Sequence, residues 1–151
     1  MGYVLGGDTG GGAVTGAVQI YDTLTDAWSS GAAMPTSRST AVAGVLNGKI
    51  VVAGGWDGVN NLSTTEIYDP ATDTLSPADS IDNTIGARSA VNGDGSRIAV
   101  WSFSDGLAVY DSDLGPVNVL PNLRGGLVFD PVREILFDRL GYSHLKLRRE
   151  A

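Results

Sequence analysis

The chain has 151 residues, no cysteine and 21 glycines, and its 10 Lys and Arg against 17 Asp and Glu give a formal net charge of −7. A hydrophobic content of 42% is enough for a packed core and excludes global disorder. The lack of cysteine excludes a disulfide scaffold, a thiolate nucleophile and a cysteine-ligated zinc site. No apolar run reaches the ~18–20 residues of a membrane span, and no secretory signal is visible. We expect no membrane partner; the location is undetermined, and cytoplasmic if the chain is complete.

Charge is distributed unevenly along the sequence. Residues 1–132 hold 14 acidic and 5 basic side chains, a net of −9, whereas residues 133–151 hold 3 acidic and 5 basic ones, a net of +2. An acidic body repels a phosphate backbone, so we expect no nucleic-acid partner. The basic end is interrupted by acids and is interpreted as a solvated segment.

Short strands separated by turn residues dominate the chain. Four segments rich in β-branched and aromatic residues are bounded by Gly, Asp, Asn or Pro. They are Gly48–Ala53, Thr64–Tyr68, Arg97–Trp101 and Leu107–Tyr110. Asn47-Gly48 predicts a hairpin with a type I′ turn, because these residues tolerate positive φ. No apolar stripe of helical period is present up to residue 137, so the sequence predicts an all-β fold.

Four landmarks recur in the same order at intervals of 47–50 residues. They are a Gly-Gly pair, a Tyr followed by Asp, a large apolar residue seven positions after that Tyr, and an Arg-Ser pair. The matched positions are Gly6-Gly7 with Gly54-Gly55, Tyr21 with Tyr68, Trp28 with Leu75, and Arg38-Ser39 with Arg88-Ser89. Such a period indicates a repeat protein.

The pattern resembles the kelch repeat, whose units of ~50 residues each form one blade of a β-propeller. Met34-Pro35 before Arg38 also fits the family's segment ahead of the first strand. The resemblance is strong over residues 2–88. It implies about three four-stranded antiparallel blades that form a partial or open propeller.

Beyond residue 88 the resemblance is weaker. Tyr110 stands where a third repeat Tyr is expected, but Ser102-Phe103 replaces the Gly-Gly pair and Val117 replaces the aromatic residue. We interpret residues 88–120 as a loosely kelch-like blade.

The last part of the chain contains the start of another blade. Leu127–Asp130 and Ile135–Phe137 read as its first two strands. The composition then changes, so we expect a partial propeller domain over residues 1–137 and an irregular basic tail, frayed or a short helix, over residues 138–151.

The glycine pairs are interpreted as structural. A phosphate-binding loop needs a helix N-terminus after the glycines, and no helical segment follows them here. We expect the pairs to allow positive φ and close approach of neighbouring strands. Residues Asp8–Gly16 are then expected to form a flexible connection on one rim of the sheets.

The repeated aromatic residues are also interpreted as structural. Tyr21, Trp28 and Tyr68 hold fixed places in the repeat, which is typical of side chains that fill the layer between adjacent blades. Leu75 and Tyr110 stand at equivalent positions.

Seven residues are candidates for partner binding. The two Arg-Ser pairs precede the innermost strands, a region that lines one face of proteins resembling this family. The alternative is that each Arg hydrogen-bonds loop carbonyls between blades. Trp56 and Asp57 follow a Gly-Gly pair and Trp101 ends a strand, so these tryptophans are candidate exposed anchors. The candidates are Arg38, Ser39, Trp56, Asp57, Arg88, Ser89 and Trp101.

We predict no catalytic, cofactor-binding or metal-binding residue. The single histidine, His144, cannot build a site of two or three histidine ligands. The aspartates Asp22, Asp69 and Asp111 fall at equivalent turn positions, where Asp caps its own backbone. Copper radical oxidases of the kelch type need histidines and a cysteine that this chain lacks.

Propellers close with about four to eight blades, and 151 residues supply about three. The chain is therefore expected to be a fragment of a longer propeller; alternatives are two copies closing head to tail into a six-bladed ring, or a compact non-standard assembly. We expect a non-catalytic module that binds a protein or a glycan. The alternative is part of a propeller enzyme or carbohydrate-binding protein, mutarotase-like, whose active residues lie in other blades.

Overall fold

A computed structural model describes residues 1–78, 88–102, 106–111, 113–114, 116–120, 127–130, 135–138 and 144–146. All regular secondary structure in these residues is β-strand, which confirms the all-β prediction. None of this described part forms a helix that could cross a bilayer.

The described strands form four antiparallel sheets in which chain neighbours are spatial neighbours. The first sheet contains β1 (Gly2–Gly10), β2 (Ala13–Asp22) and β3 (Ala27–Gly31). The second contains β4 (Val42–Leu46), β5 (Lys49–Ala53), β6 (Thr65–Asp69) and β7 (Thr74–Ala78). The third contains β8 (Arg88–Val91), β9 (Ile98–Ser102), β10 (Gly106–Tyr110) and β11 (Pro116–Leu120). The fourth contains β12 (Leu127–Asp130), β13 (Ile135–Asp138) and β14 (His144–Lys146).

The sequence repeat corresponds to a repeat of strand pairing. Tyr21 on β2 lies opposite Trp28 on β3, and one repeat later Tyr68 on β6 lies opposite Leu75 on β7. The sheets are therefore blades of an open propeller, two four-stranded and two three-stranded in the described residues. Strand β14 lies within the segment expected to be irregular and pairs with β13; the domain boundary at residue 137 stays a prediction.

Two apolar layers join the sheets. Between the first and second sheets, five buried residues pack with partly buried neighbours that include Tyr3, Leu5 and Leu75; the buried five are Val18, Met34, Ile50, Val52 and Tyr68. Between the second and third sheets, the buried set is Val42, Leu46, Val51, Ala53, Ile98, Val100 and Leu114. Each fully buried large apolar side chain contributes about 1.5–3 kcal/mol, so these layers stabilise the stacking of the blades.

A tyrosine–aspartate pair adds polar contacts to the first of these layers. The Tyr68 hydroxyl donates to Asp73 Oδ1 at 2.9 Å, and the Ala32 backbone N–H donates to the same oxygen at 2.7 Å. Burial, together with the nearby Asp73 carboxylate, raises the pKa of Tyr68 to about 12. The hydrogen bonds from Ala32 and Tyr68 lower the pKa of Asp73. Asp73 thus links the second sheet to the chain that leaves β3.

The prediction of a buried aromatic at each repeat is confirmed for Tyr68 and wrong for Trp28. Tyr68 is fully buried, whereas Trp28 is 60% exposed and stacks against the half-buried Tyr21 at a ring-centroid distance of 5.0 Å. The reason lies in the order of the sheets. Tyr68 faces the first sheet, but the equivalent face of the first sheet is covered by no other described strand.

The turns follow the predicted local chemistry. Asn47 and Gly48 have φ of 47° and 78° and connect β4 to β5. The predicted aspartate caps are confirmed at all three positions, where Asp22, Asp69 and Asp111 each accept the backbone N–H two residues further on at 2.8–3.0 Å. Those hydrogen bonds lower the pKa of Asp22 and Asp69.

The segment Asp8–Gly16 is not a flexible connection, and that prediction is wrong. Strands β1 and β2 continue through it and pair as far as Gly10 with Ala13. Consecutive glycines at positions 10–12 all take positive φ, so they close this long hairpin where other residues would be strained.

Candidate functional site

Arg38 is fully buried and holds the start of the second sheet together. Its Nη1 donates to the carbonyl oxygens of Gly54 and Thr64, both at 2.8 Å, and Nη2 donates to Thr64 Oγ1 at 3.2 Å. The side chain therefore bonds loop carbonyls, as the structural alternative predicted, and is not available to a partner.

A buried carboxylate neutralises Arg38. Glu66 on β6 places Oε1 3.2 Å from Arg38 Nη2, and the Thr36 backbone N–H donates to the same oxygen at 3.2 Å. Glu66 Oε2 is buried without a hydrogen-bond partner. Removing one member of this ion pair is strongly destabilising, because the charge of the other member is then buried and uncompensated.

The glycine pairs permit this close packing, which confirms their predicted role. Gly6, Gly7, Gly54 and Gly55 all have positive φ. A Cβ on Gly6 would collide with the Arg38 carbonyl oxygen, and one on Gly55 with the Ser39 carbonyl oxygen. The chain between the first and second sheets therefore lies directly on Gly6 and Gly55.

The segment after the second glycine pair, residues 54–62, forms a hydrogen-bonded loop that we call the rim loop. Trp56 and Ser39 exchange two backbone hydrogen bonds of 2.9 Å, and Leu62 N–H donates to the Gly55 carbonyl at 2.8 Å. Trp56 also bridges to Asn61 across the loop. These bonds fix the backbone of the loop at both ends.

Asp57 fixes the centre of the rim loop. Its Oδ1 accepts the N–H groups of Val59 at 2.7 Å and Asn60 at 2.6 Å, and its own N–H donates to the Asn60 carbonyl at 3.0 Å. The hydrogen bonds from Asn60 and Val59 lower the pKa of Asp57. Asp57 is therefore a positioning residue for the loop.

The β1–β2 hairpin supports the rim loop from the side. A Cβ on Gly58 would lie 3.4 Å from the Gly12 carbonyl oxygen, and a Cβ on Gly12 would lie 3.9 Å from Trp56 Cη2. Trp56 is accordingly half-buried against the hairpin tip. The tip and the rim loop together form one surface, which we call the rim surface (residues 8–14 and 54–62).

The seven sequence candidates separate into three groups. Ser39, Trp56 and Asp57 meet in and beside the rim loop, with Arg38 buried beneath. Arg88 is exposed at the start of β8, and the Ser89 hydroxyl donates to the Ala43 carbonyl at 3.0 Å. Trp101 is only 6% exposed, so the prediction of an exposed anchor is wrong for this residue. It lies on the face of the third sheet turned away from the second, where Leu107 and Val109 are buried too.

Val59 is the residue of this surface that the sequence analysis missed. It is 82% exposed at the outer turn of the rim loop. An apolar residue between Gly58 and Asn60, outside any strand pattern, was the available signal. An exposed apolar side chain on a fixed loop is a suitable contact for a partner.

A cleft lies between the second and third sheets. This cleft has a volume of about 380 Å³ and combines an apolar floor with polar and charged groups; its lining is Leu46, Asn47, Lys49, Val51, Ile67 and Asp113. Lys49 Nζ also pairs with Asp69 Oδ2 at 3.3 Å. As far as the structure describes the chain, it contains no cluster of side chains that could hold a metal ion.

Comparison with known proteins finds a kelch motif in the part of the chain that contains these features. Residues 37–74, which include Arg38, the rim loop and Tyr68, match the kelch motif. The F-box protein AFR of Arabidopsis thaliana is 43% identical over 67 residues, which are 43% of this chain and 18% of that protein. An F-box/kelch-repeat protein of the same plant is 37% identical over 83 residues, 52% of this chain and 17% of that protein. The chain thus spans less than a fifth of these relatives.

The fold is similar to that of a solved structure. The structure of YjhT matches 84% of this chain and 51% of its own with a TM-score of 0.66, at 19% sequence identity. The motif match, the curated relatives and the antiparallel blades agree with the repeat of Gly-Gly, Tyr-Asp and Arg-Ser landmarks. Residues 37–74 therefore contain a kelch motif, and the chain is built of antiparallel sheets that resemble β-propeller blades.

Proposed function

We propose that the chain is a non-catalytic interaction module that binds a protein through the rim surface. The observation that carries this proposal is the rim loop, which is fixed by backbone hydrogen bonds at both ends and by Asp57 at its centre while Val59 remains 82% exposed. A loop that is already ordered loses little conformational entropy on binding, and this increases affinity.

Charge further defines the partner. The rim surface contains Asp8 and Asp57 and no Lys or Arg. Asp8 is exposed at the hairpin and accepts the Gly10 N–H at 2.6 Å. Because opposite charges steer association, we expect a partner segment that combines an apolar side chain for Val59 with basic side chains at its edge. Binding is then expected to weaken as salt is added.

The experiment first captures the partner protein and then measures its affinity for the variants. Immobilised wild-type chain and two single variants are exposed to extract of the source cells, and bound proteins are identified by mass spectrometry. Val59→Lys changes the rim surface. Leu24→Lys is the matched control, because Leu24 is 94% exposed in the β2–β3 turn, outside the rim surface.

We expect a protein that binds the wild-type chain and Leu24→Lys but not Val59→Lys. A partner retained equally by all three chains contradicts the proposed surface. Circular dichroism of each variant establishes that the chain stays folded, as substitution of such exposed side chains predicts.

The second candidate function is carbohydrate binding, and the cleft between the second and third sheets favours it. Asn47, Lys49 and Asp113 supply hydrogen-bonding groups, and Leu46 and Val51 supply an apolar floor. The test is a glycan array followed by a mutarotase assay, each repeated with Lys49→Ala in the cleft and with Arg88→Ala outside it as the control. Reproducible binding or turnover that Lys49→Ala abolishes and Arg88→Ala retains would replace the interaction module as the proposed function.

A further inference from the structure

Thr40 has a backbone conformation that threonine rarely adopts. Its φ is 53°, in the left-handed region where a side chain branched at Cβ crowds the backbone. The residue lies in the segment that leads into β4, and it is exposed. Such a conformation destabilises the folded state and persists only where the surrounding structure imposes it.

The other non-glycine residues of positive φ in the described part of the chain have a local reason for it. Asp26, Asn47 and Asp73 are of the residue types that tolerate the left-handed region. Leu114 is only 4% exposed and packs in the apolar layer between the second and third sheets. Thr40 is neither of a tolerant type nor buried, so its residue type and its burial do not explain its conformation.

The neighbouring backbone imposes this conformation on Thr40. On one side, Ser39 and Trp56 exchange two backbone hydrogen bonds of 2.9 Å. On the other side, a Cβ on Gly55 would lie 3.0 Å from the backbone nitrogen of Ala41, so the chain passes directly over this glycine. Thr40 is therefore fixed beside the start of the rim loop.

Glycine would suit the fold better than threonine at position 40. It takes positive φ without steric cost, and an exposed threonine side chain adds nothing to the apolar core. Residues held in strained conformations cluster at binding sites, where the strain keeps a side chain in one position. The place of Thr40 beside the rim loop fits that use.

We infer that Thr40 contacts the protein bound at the rim surface and that its hydroxyl forms a hydrogen bond with that protein. The inference rests on the proposed function and adds a polar contact to the apolar one at Val59. A hydroxyl both donates and accepts hydrogen bonds. The partner segment therefore presents a hydrogen-bonding group to Thr40 in addition to the apolar side chain that contacts Val59.

The first experiment measures stability by urea unfolding and does not need the partner. Thr40→Gly is expected to raise the urea midpoint above that of the wild-type chain, because it relieves the strained φ. Thr23→Gly is the matched control, because Thr23 is exposed in the β2–β3 turn without positive φ. Its midpoint is expected to fall, because glycine increases the entropy of the unfolded chain. A midpoint of Thr40→Gly below that of the wild-type chain would show that Thr40 serves the fold and would overturn the inference.

The second experiment measures the affinity of the captured partner by isothermal titration calorimetry. Thr40→Ala and Thr40→Ser both remove the branch at Cβ, but only Thr40→Ser keeps the hydroxyl. We expect Thr40→Ala to weaken binding about 3- to 10-fold, as the loss of one neutral hydrogen bond predicts. Thr40→Ser is expected to bind as the wild-type chain does.

Equal affinity of the partner for Thr40→Ala and the wild-type chain overturns the inference, and so does an equal loss in Thr40→Ala and Thr40→Ser. If Val59→Lys still abolishes binding in either case, the proposed rim surface stands and only the role of Thr40 fails. If the wild-type chain captures no protein, or if Val59→Lys and Thr40→Ala both bind as the wild-type chain does, the proposed function and the inference fail together.

Discussion

Removing the buried charge of Arg38 tests how the second blade is held together. In Arg38→Met, the bonds to the Gly54 and Thr64 carbonyls are lost, and Glu66 remains buried beside the Thr36 N–H. Breaking a buried ion pair by removing one partner costs about 3–5 kcal/mol. Domains of this size are stable by about 5–15 kcal/mol, so we expect a large fraction of the stability to be lost.

The assay is equilibrium urea unfolding followed by tryptophan fluorescence and circular dichroism. The matched control is Arg88→Met, because Arg88 occupies the equivalent repeat position but is exposed. Its effect is expected to stay within about 0.5 kcal/mol. Comparing the two variants separates the effect of burial and ion pairing from the effect of replacing an arginine as such.

A double-variant cycle then isolates the ion pair. Glu66→Gln removes the partner charge, and residues in direct contact couple by about 0.5–3 kcal/mol. We therefore expect Arg38→Met with Glu66→Gln to lose less stability than the two single variants added together. If Arg38→Met costs less than about 1 kcal/mol, or if the two effects are additive, the assignment of Arg38 and Glu66 as a stabilising pair is refuted.

Four further predictions concern stability. Gly31→Ala is expected to lower the free energy of unfolding by about 1–3 kcal/mol, because its Cβ would lie 2.7 Å from Tyr68 Oη. Gly2→Ala is the control in urea unfolding, because the nearest contact of its Cβ is at 3.8 Å. Gly55→Ala is expected to destabilise more than Gly7→Ala, because both have positive φ but only Gly55 has a carbonyl in the way; equal midpoints with urea would contradict this. The pKa of Tyr68 is raised to about 12, so the folded state holds the hydroxyl proton more tightly than the unfolded state does. The stability that this provides is present below pH ~10 and is lost as the pH rises toward 12. Absorbance titration at alkaline pH is expected to lose its last transition in Tyr68→Phe. The lowered pKa of Asp73 acts in the opposite direction, so its contribution is lost as pH falls below ~4, and Asp73→Asn is expected to flatten the acid limb of stability.

Local chemistry was predictable from the sequence. The positive φ at Gly54 and Gly55, the type I′ turn at Asn47-Gly48 and the aspartate caps depend on a few adjacent residues, and they occur as predicted. The period of the landmarks also predicted the order of strands, because the same pattern of residues produces the same pairing.

Exposure was less predictable, because it depends on which sheet covers a face. Trp28 and Leu75 share a repeat position, yet Trp28 is exposed and Leu75 packs against the core. Trp101 was expected at an exposed site and is buried, since both faces of the third sheet are covered. Val59 has no repeat partner or strand pattern, so only the three-dimensional course of the rim loop identifies it.

The most direct test of the proposed rim surface is the affinity of the captured partner for three purified chains, measured by isothermal titration calorimetry. We predict that Val59→Lys weakens binding at least ~10-fold, which corresponds to ~1.4 kcal/mol, because Val59 lies at the exposed centre of the rim loop. Leu24→Lys is predicted to bind as the wild-type chain does. Equal affinity of the partner for all three chains would contradict the account.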